Sequence, residues 1–199
     1  VQQQISYQIG NNLYLSITDR CTLECAFCPK TYGNMTVKGY DLTFDHRPTA
    51  EEVIASINDP AGYDEVVFCG YGEPTLRLNL LLQVARYVKQ HGGRVRVNTD
   101  GLSNLIHKHD TLPQLAECVD ALSVSLNAQN SEIYDIHCRP NLPGSYEAML
   151  EFLRRAPEYI ADVTATAIDG LEGVDIAACE TIAQAMNVKF RRRTLNEVG

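Results

Sequence analysis

Leu13-Tyr14-Leu15-Ser16-Ile17-Thr18-Asp19-Arg20-Cys21-Thr22-Leu23-Glu24-Cys25-Ala26-Phe27-Cys28 carries two patterns: a strand-like alternation and, directly after it, three thiols spaced C-x3-C-x2-C. Neighbouring side chains of a strand point to opposite faces, so Leu13, Leu15 and Ile17 share one face and Tyr14, Ser16 and Thr18 the other. Three thiolates can hold three corners of a 4Fe-4S cube and leave the fourth iron open, whereas electron-transfer clusters normally take four Cys ligands. An open iron can bind and activate a small molecule. The competing reading is a structural zinc site, which usually takes four ligands as two Cys or His pairs. No second pair follows Cys28, and nothing in the spacing of His46 recommends it as a fourth ligand.

Downstream of this stretch, strand-like and helix-like segments alternate. Leu13–Thr18, Glu65–Cys69, Val95–Asn98, Asp120–Leu126, Asp162–Ile168 and Val188–Arg193 read as strands one to six. Thr49–Asn58 reads as a helix with Thr49 as N-cap and Glu51 and Glu52 in its first turn. Leu78–Gln90 is a periodic helix closed by Gly92-Gly93, Pro113–Cys118 is part of another, and Ser145–Arg155 and Val174–Met186 are two more. Parallel neighbours need crossover connections of helix length, so this order predicts a parallel sheet. A closed eight-stranded barrel typically takes about 250 residues. The 199 residues therefore predict an α/β fold, an open partial (β/α)6 TIM-type barrel, as a single domain over residues 1–199.

Strands of parallel sheets commonly read as continuous apolar runs, but here they are two-sided. Leu122, Val124 and Leu126 alternate with Ser123, Ser125 and Asn127; Val95 and Val97 with Arg96, Asn98 and Asp100; Val188 and Phe190 with Lys189, Arg191 and Arg193. Thr164 and Thr166 share one face of strand five. Burying so many unpaired polar groups in a packed core would cost about 1–3 kcal/mol each. Either the polar faces line a hydrated or ligand-filled cavity inside a curved sheet, which we expect, or the sheet is flat with one face in solvent.

Cys69-Gly70-Tyr71-Gly72-Glu73-Pro74 follows strand two directly. Its glycines allow close backbone approach, and Glu73 places a carboxylate at a strand's C-terminal end, where ligands bind in open parallel sheets. Asn98, Thr99, Asp100 and Gly101 close strand three. Arg139 could pair with a carboxylate or lie on the surface before Pro140. Strand alternation sends Arg191 and Arg193, with Lys189, to the cavity face, where an anionic group would be their partner, and Arg192 outward; the alternative is an edge strand guarded by charge. Cys69, Cys118, Cys138 and Cys179 lack ligand spacing and are expected as buried thiols, and His107 and His109 as residues of a solvated loop.

Composition is ordinary for a globular chain, 45% hydrophobic and 21% charged. The formal net charge of −8 signals no broad nucleic-acid-binding face. No apolar run of about 18 residues and no charged-then-apolar leader is present, which predicts neither a membrane span nor a secretory signal and hence a cytoplasmic protein. Seven Cys is an odd number, expected as ligands or thiols and not as a disulfide framework.

The Cys21, Cys25, Cys28 triplet, Phe27 within it and the Gly70–Pro74 run together resemble the radical S-adenosylmethionine (SAM) superfamily. Further stretches, Asn11–Thr18, Cys28-Pro29-Lys30, Phe68–Arg77, Asn98–Leu102 and Ser125–Asn130, resemble the small TatD-linked branch. The resemblance implies a 4Fe-4S cluster on Cys21, Cys25 and Cys28, with SAM chelated by the open iron and split to a 5'-deoxyadenosyl radical. It implies that Gly70, Tyr71, Gly72 and Glu73 receive the SAM ammonium, with Tyr71 departing from the family's Gly-Gly-Glu-Pro pattern. Phe27 and Ile168 would lie by adenine, with Thr166 as the small polar neighbour; Asn98 and Ser125, and after them Asp100 and Asn127, would contact ribose or carboxylate. Arg139, Arg191 and Arg193 join these as cofactor-binding candidates. The expected partners are a small-molecule or nucleotide-like substrate and an electron-donor protein such as flavodoxin or ferredoxin. An activase acting on a partner protein and a non-enzymatic zinc or redox-sensing module remain the other readings, and substrate does not transfer with the fold.

Overall fold

The computed structural model describes residues 3–195. Its main sheet holds β1 (Ser6–Ile9), β2 (Asn12–Leu15), β5 (Val66–Phe68), β6 (Val95–Thr99), β7 (Ala121–Ser125), β8 (Asp162–Asp169) and β9 (Lys189–Thr194), hydrogen-bonded in that order. The six from β2 to β9 are parallel neighbours, as the strand-helix alternation predicts. The seventh, β1, corrects the six-stranded expectation: it runs antiparallel to β2 through a tight turn at Gly10 and Asn11, where Gly10 takes φ 59°. So short a turn leaves almost no signal between Ile9 and Asn12, and a left-handed φ there suits glycine.

Helices cover the apolar face. In α2 (Leu78–Gln90), Leu78, Leu81, Leu82, Ala85 and Val88 recur every three or four residues and are buried, so one stripe packs on the sheet. α6 (Ser145–Arg155) does the same with Met149, Phe152 and Leu153. Their partners are Leu13, Leu15, Val66, Phe68, Val95, Val97, Leu122 and Val124, all in one hydrophobic core. α1 (Ala50–Ala55) begins with a capping box in which the Thr49 hydroxyl accepts from Glu52 N and the Glu52 carboxylate accepts from Thr49 N.

Several elements lie outside the expected pattern. A two-stranded hairpin, β3 (Thr36–Val37) with β4 (Tyr40–Asp41), follows the Cys triplet. α3 (Ser103–His107) and α4 (Leu112–Ala116) sit between β6 and β7, so His107 ends a helix and its Nε2 hydrogen-bonds to Thr75 O at 2.8 Å instead of lying on a solvated loop. α5 (Ser131–Cys138) is capped by Asn130, whose side chain accepts from Ile133 N. α7 (Ile176–Ala185) leads into β9. No helix among the described residues is long and apolar enough to cross a membrane.

Phe68 is fully buried between the sheet and its helices. Phe68→Ala is expected to lower stability by about 3–5 kcal/mol, read as a lower urea midpoint at unchanged slope.

Candidate active site

The polar strand faces converge on one cavity of about 460 Å³ at the C-terminal ends of the parallel strands. Cys21, Cys25 and Cys28 line it, with Phe27 beside them. Their loop is held from two sides. Thr22 Oγ1 donates to Asp100 Oδ2 at 2.6 Å, tying it to the end of β6. Glu24 N donates to Cys138 O and Ala26 N to His137 O, and Leu23 bridges Pro140, tying it to the end of α5.

All three thiols are free, and their environment disfavours the thiolate. Burial raises Cys21 and Cys28, and a hydrogen bond with Cys138 followed by burial raises Cys25. Metal binding here would therefore be coupled to proton release. The donor set, three thiols on one loop lining a common cavity, fits three corners of an iron-sulfur cube. Among the described residues no three His, Cys, Asp or Glu side chains gather closely enough to hold a single metal ion.

The second wall is the Gly70–Glu73 turn. A Cβ on Gly72 would lie 2.2 Å from Thr18 O and 2.7 Å from Arg20 O, both backbone atoms, and one on Gly70 would lie 2.4 Å from Ser16 Oγ. Glycine is thus required where this turn passes under the Cys loop. Tyr71 between them also lines the cavity, its hydroxyl donating to Thr36 O of the β3–β4 hairpin at 2.8 Å.

The Glu73 side chain corrects the expected open carboxylate. It is buried and already accepts from Thr75 N, Thr75 Oγ1, Thr99 Oγ1 and Asp100 N, at 2.6–2.9 Å. Burial, and then the neighbouring Asp100 carboxylate, push Glu73 up from about 4.5 to about 8, and burial raises Asp100 as well. For a cationic group the turn therefore offers backbone carbonyls beside this buried acid pair, whose ionisation a nearby positive charge would favour.

Asn98, Ser125, Asn127, Thr166, Ile168, Arg191 and Arg193 all line the same cavity, as the alternation predicts. Asn127 holds a left-handed φ of 60°, and its buried Oδ1 has no hydrogen-bond partner. Lys189 shares the face of Arg191 but sits at the other end of β9, where its ammonium pairs with Asp162 at 3.0 Å. Arg139 is not part of the cavity: it caps the C-terminus of α5 at φ 48° and lines a separate surface cleft with Glu24, Asp135 and Asn141. A helix end there turns the side chain outward, while the same segment's carbonyls hold the Cys loop.

Tyr14 lines the cavity from the polar face of its strand, as the alternation predicts, while sequence reasoning missed Tyr7, Cys69 and Cys138. Tyr7 Oη donates to Cys69 O, and Tyr7, Tyr14 and Cys69 line the cavity. Cys138 lies against Cys25, a contact that no local spacing encodes.

A family model described as the Radical SAM superfamily matches residues 15–186. The chain belongs to this superfamily. As such it is a radical SAM enzyme, and the family uses a 4Fe-4S cluster and SAM. Its sequence is similar to a GTP 3',8-cyclase of Rhodococcus opacus, 26% identical over 187 residues, covering 91% of this chain and 47% of that protein. It is also similar to a probable GTP 3',8-cyclase of Thermococcus kodakarensis, 29% identical over 167 residues, covering 83% and 50%. The radical SAM chain thus spans about half the length of these curated relatives. Its fold resembles Streptococcus suis SuiB, solved bound to S-adenosylmethionine, at a TM-score of 0.69 and 13% identity over 96% of this chain and 40% of that one.

Two outcomes follow for the cluster-free protein. Gly72→Ala is expected to destabilise it by about 1–3 kcal/mol in chemical denaturation, because the added methyl meets backbone and not a flexible side chain. The folded chain keeps the Glu73 proton to about pH 8, while the unfolded chain releases it near 4.5. Between those limits the folded state binds more protons, so the Glu73 contribution falls as pH rises. A Tm series from pH 5 to 8 on wild type and Glu73→Gln checks this, the variant giving the flatter curve.

Proposed function

We propose that this chain binds a 4Fe-4S cluster through Cys21, Cys25 and Cys28 and uses SAM for hydrogen abstraction from a small or nucleotide-like substrate. The observation that carries this reading is that the three thiols, the Gly70–Glu73 turn and the polar strand ends line a single cavity. When bound, the cluster supplies the electron that splits the SAM sulfonium to a 5'-deoxyadenosyl radical.

The chain's own residues would do the rest by binding and orientation. The backbone of Gly70, Tyr71 and Gly72 would receive the SAM ammonium, whose charge would in turn favour ionisation of the Glu73 and Asp100 pair below it. Phe27 and Ile168 would flank adenine, with Thr166 as the polar neighbour. Asn98, Ser125 and Asn127 would hydrogen-bond ribose or carboxylate, with the orphaned Asn127 Oδ1 as one acceptor awaiting a donor. The β3–β4 hairpin, packed on Tyr7, Tyr14 and Val67, would limit entry of water.

A nucleotide-like substrate is supported by the names of the curated relatives, GTP 3',8-cyclases. Within the superfamily we place the chain in the TatD-linked branch on the stretches from Asn11 to Asn130, an assignment of lineage and not of reaction. The external electron would come from a small donor protein such as flavodoxin or ferredoxin.

Anaerobic reconstitution tests the reading. Wild type should take up iron and sulfide in the ratio of a 4Fe-4S cube and release 5'-deoxyadenosine from SAM under dithionite. Cys21→Ala, Cys25→Ala and Cys28→Ala should each abolish that release, whereas Cys118→Ala, buried beside α2, should retain it. Full SAM cleavage by a triplet variant, or a preparation holding only zinc, overturns the proposal.

A further inference from the structure

The cavity is electrically lopsided. Its acidic pair, Glu73 and Asp100, lies beside the Cys loop and is engaged by protein donors. On β9, Arg191 and Arg193 present two guanidinium groups to the same space. They sit two residues apart on one face, Arg191 opposite Thr166 and Arg193 opposite Ile168 of β8.

Every neighbouring cation has a carboxylate. Arg96 pairs with Glu65 at 2.8 Å, Lys189 with Asp162, and the outward Arg192 with Asp169. Among the described residues neither Arg191 nor Arg193 has an acidic partner, and the Nε atom of each is buried without a hydrogen-bond partner. Burial, then Arg96 and Arg193, disfavour the charged form of Arg191. Around the pair stand neutral groups: Cys69, Asn98, Ser125 and Thr166.

A charge guarding an exposed strand edge would keep its guanidinium in water, as Arg192 does. Arg191 and Arg193 instead carry like charges inward with donors unspent, an arrangement that costs free energy until an anion arrives. A carboxylate offers two oxygens and one charge and fills one forked guanidinium. A phosphate monoester offers three terminal oxygens and about two charges, and can accept from two.

We propose that Arg191 and Arg193 form a subsite for a phosphate group of the substrate, on the β9 wall of the cavity. The assignment deepens the radical SAM reading above and rests on it for the word substrate; the anion site itself is independent of iron. It moves the two arginines from the SAM-binding set to the substrate-binding set.

The test is calorimetric titration of the full chain, cluster-free, with inorganic phosphate and with acetate, followed by titration of the reconstituted protein with SAM. Phosphate should bind wild type at least about tenfold more tightly than acetate, and Arg191→Gln/Arg193→Gln should weaken phosphate by at least about tenfold. SAM affinity in the double variant should stay within about threefold of wild type. Arg192→Gln should match wild type for phosphate. Should the double variant fail to fold, Arg191→Lys and Arg193→Lys keep the charge and lose the fork, and each should weaken phosphate by at least about threefold.

Unchanged phosphate affinity in these variants, or acetate binding as tightly as phosphate, overturns the proposal. Loss of SAM affinity with phosphate unaffected returns the pair to the SAM carboxylate and overturns it equally. Failure to assemble a cluster would defeat the radical reading while leaving the phosphate titration to stand or fall alone.

Discussion

The Glu73 carboxylate, out of water and ringed by donors from Thr75, Thr99 and Asp100, fastens the turn after β5 to the end of β6. Asp100 then accepts from Thr22, which carries the connection into the Cys loop. Three segments distant in sequence are thereby fixed by one chain of hydrogen bonds in a low-dielectric setting, where such networks reinforce one another and leave costly orphans if cut. The close passage of Gly70 and Gly72 under Ser16, Thr18 and Arg20 is possible because this network sets the height of the turn. Cys loop, turn and strand ends are therefore joined into one hydrogen-bonded unit.

Sheet curvature supplies the second constraint. β9 is four strands from β5 and five from β2 in sheet order, yet Arg191 lines the same cavity as Tyr14 and Cys69. An open, partly rolled sheet thus brings its basic last strand across from its first ones. The cavity gains an acid pair and an arginine pair from residues whose sequence neighbours give no hint that they line one space.

What could be seen in the sequence was what repeats locally. The three-four spacing of Leu78 to Val88 gave α2 its bounds, and Ser145–Arg155 gave α6, because amphipathic periodicity is written in consecutive residues. The period-two alternation of β6, β7 and β9 placed Asn98, Ser125, Arg191 and Arg193 on the cavity face for the same reason. β1 was hidden by its two-residue turn, and α5 by its shortness, with only Tyr134, His137 and Cys138 buried along it. The support that His137 and Cys138 give the Cys loop comes from tertiary return of the chain, so spacing could not carry it. Arg139 was misplaced because the direction of a helix-capping side chain depends on that same return, and Glu73 appeared open because its donors, Thr99 and Asp100, lie on another strand.

The hydroxyl of Tyr71 ties the β3–β4 hairpin to the floor of the cavity through a single neutral hydrogen bond. A bond of that kind contributes about 0.5–1.5 kcal/mol. That bond alone can therefore slow ligand exchange by no more than about tenfold, and the burial of Val37 and Leu42 against Tyr7, Tyr14 and Val67 adds to what holds the hairpin in place. The hold of this chamber's door thus lies more in its apolar hinge-side packing than in the one hydroxyl that fastens it.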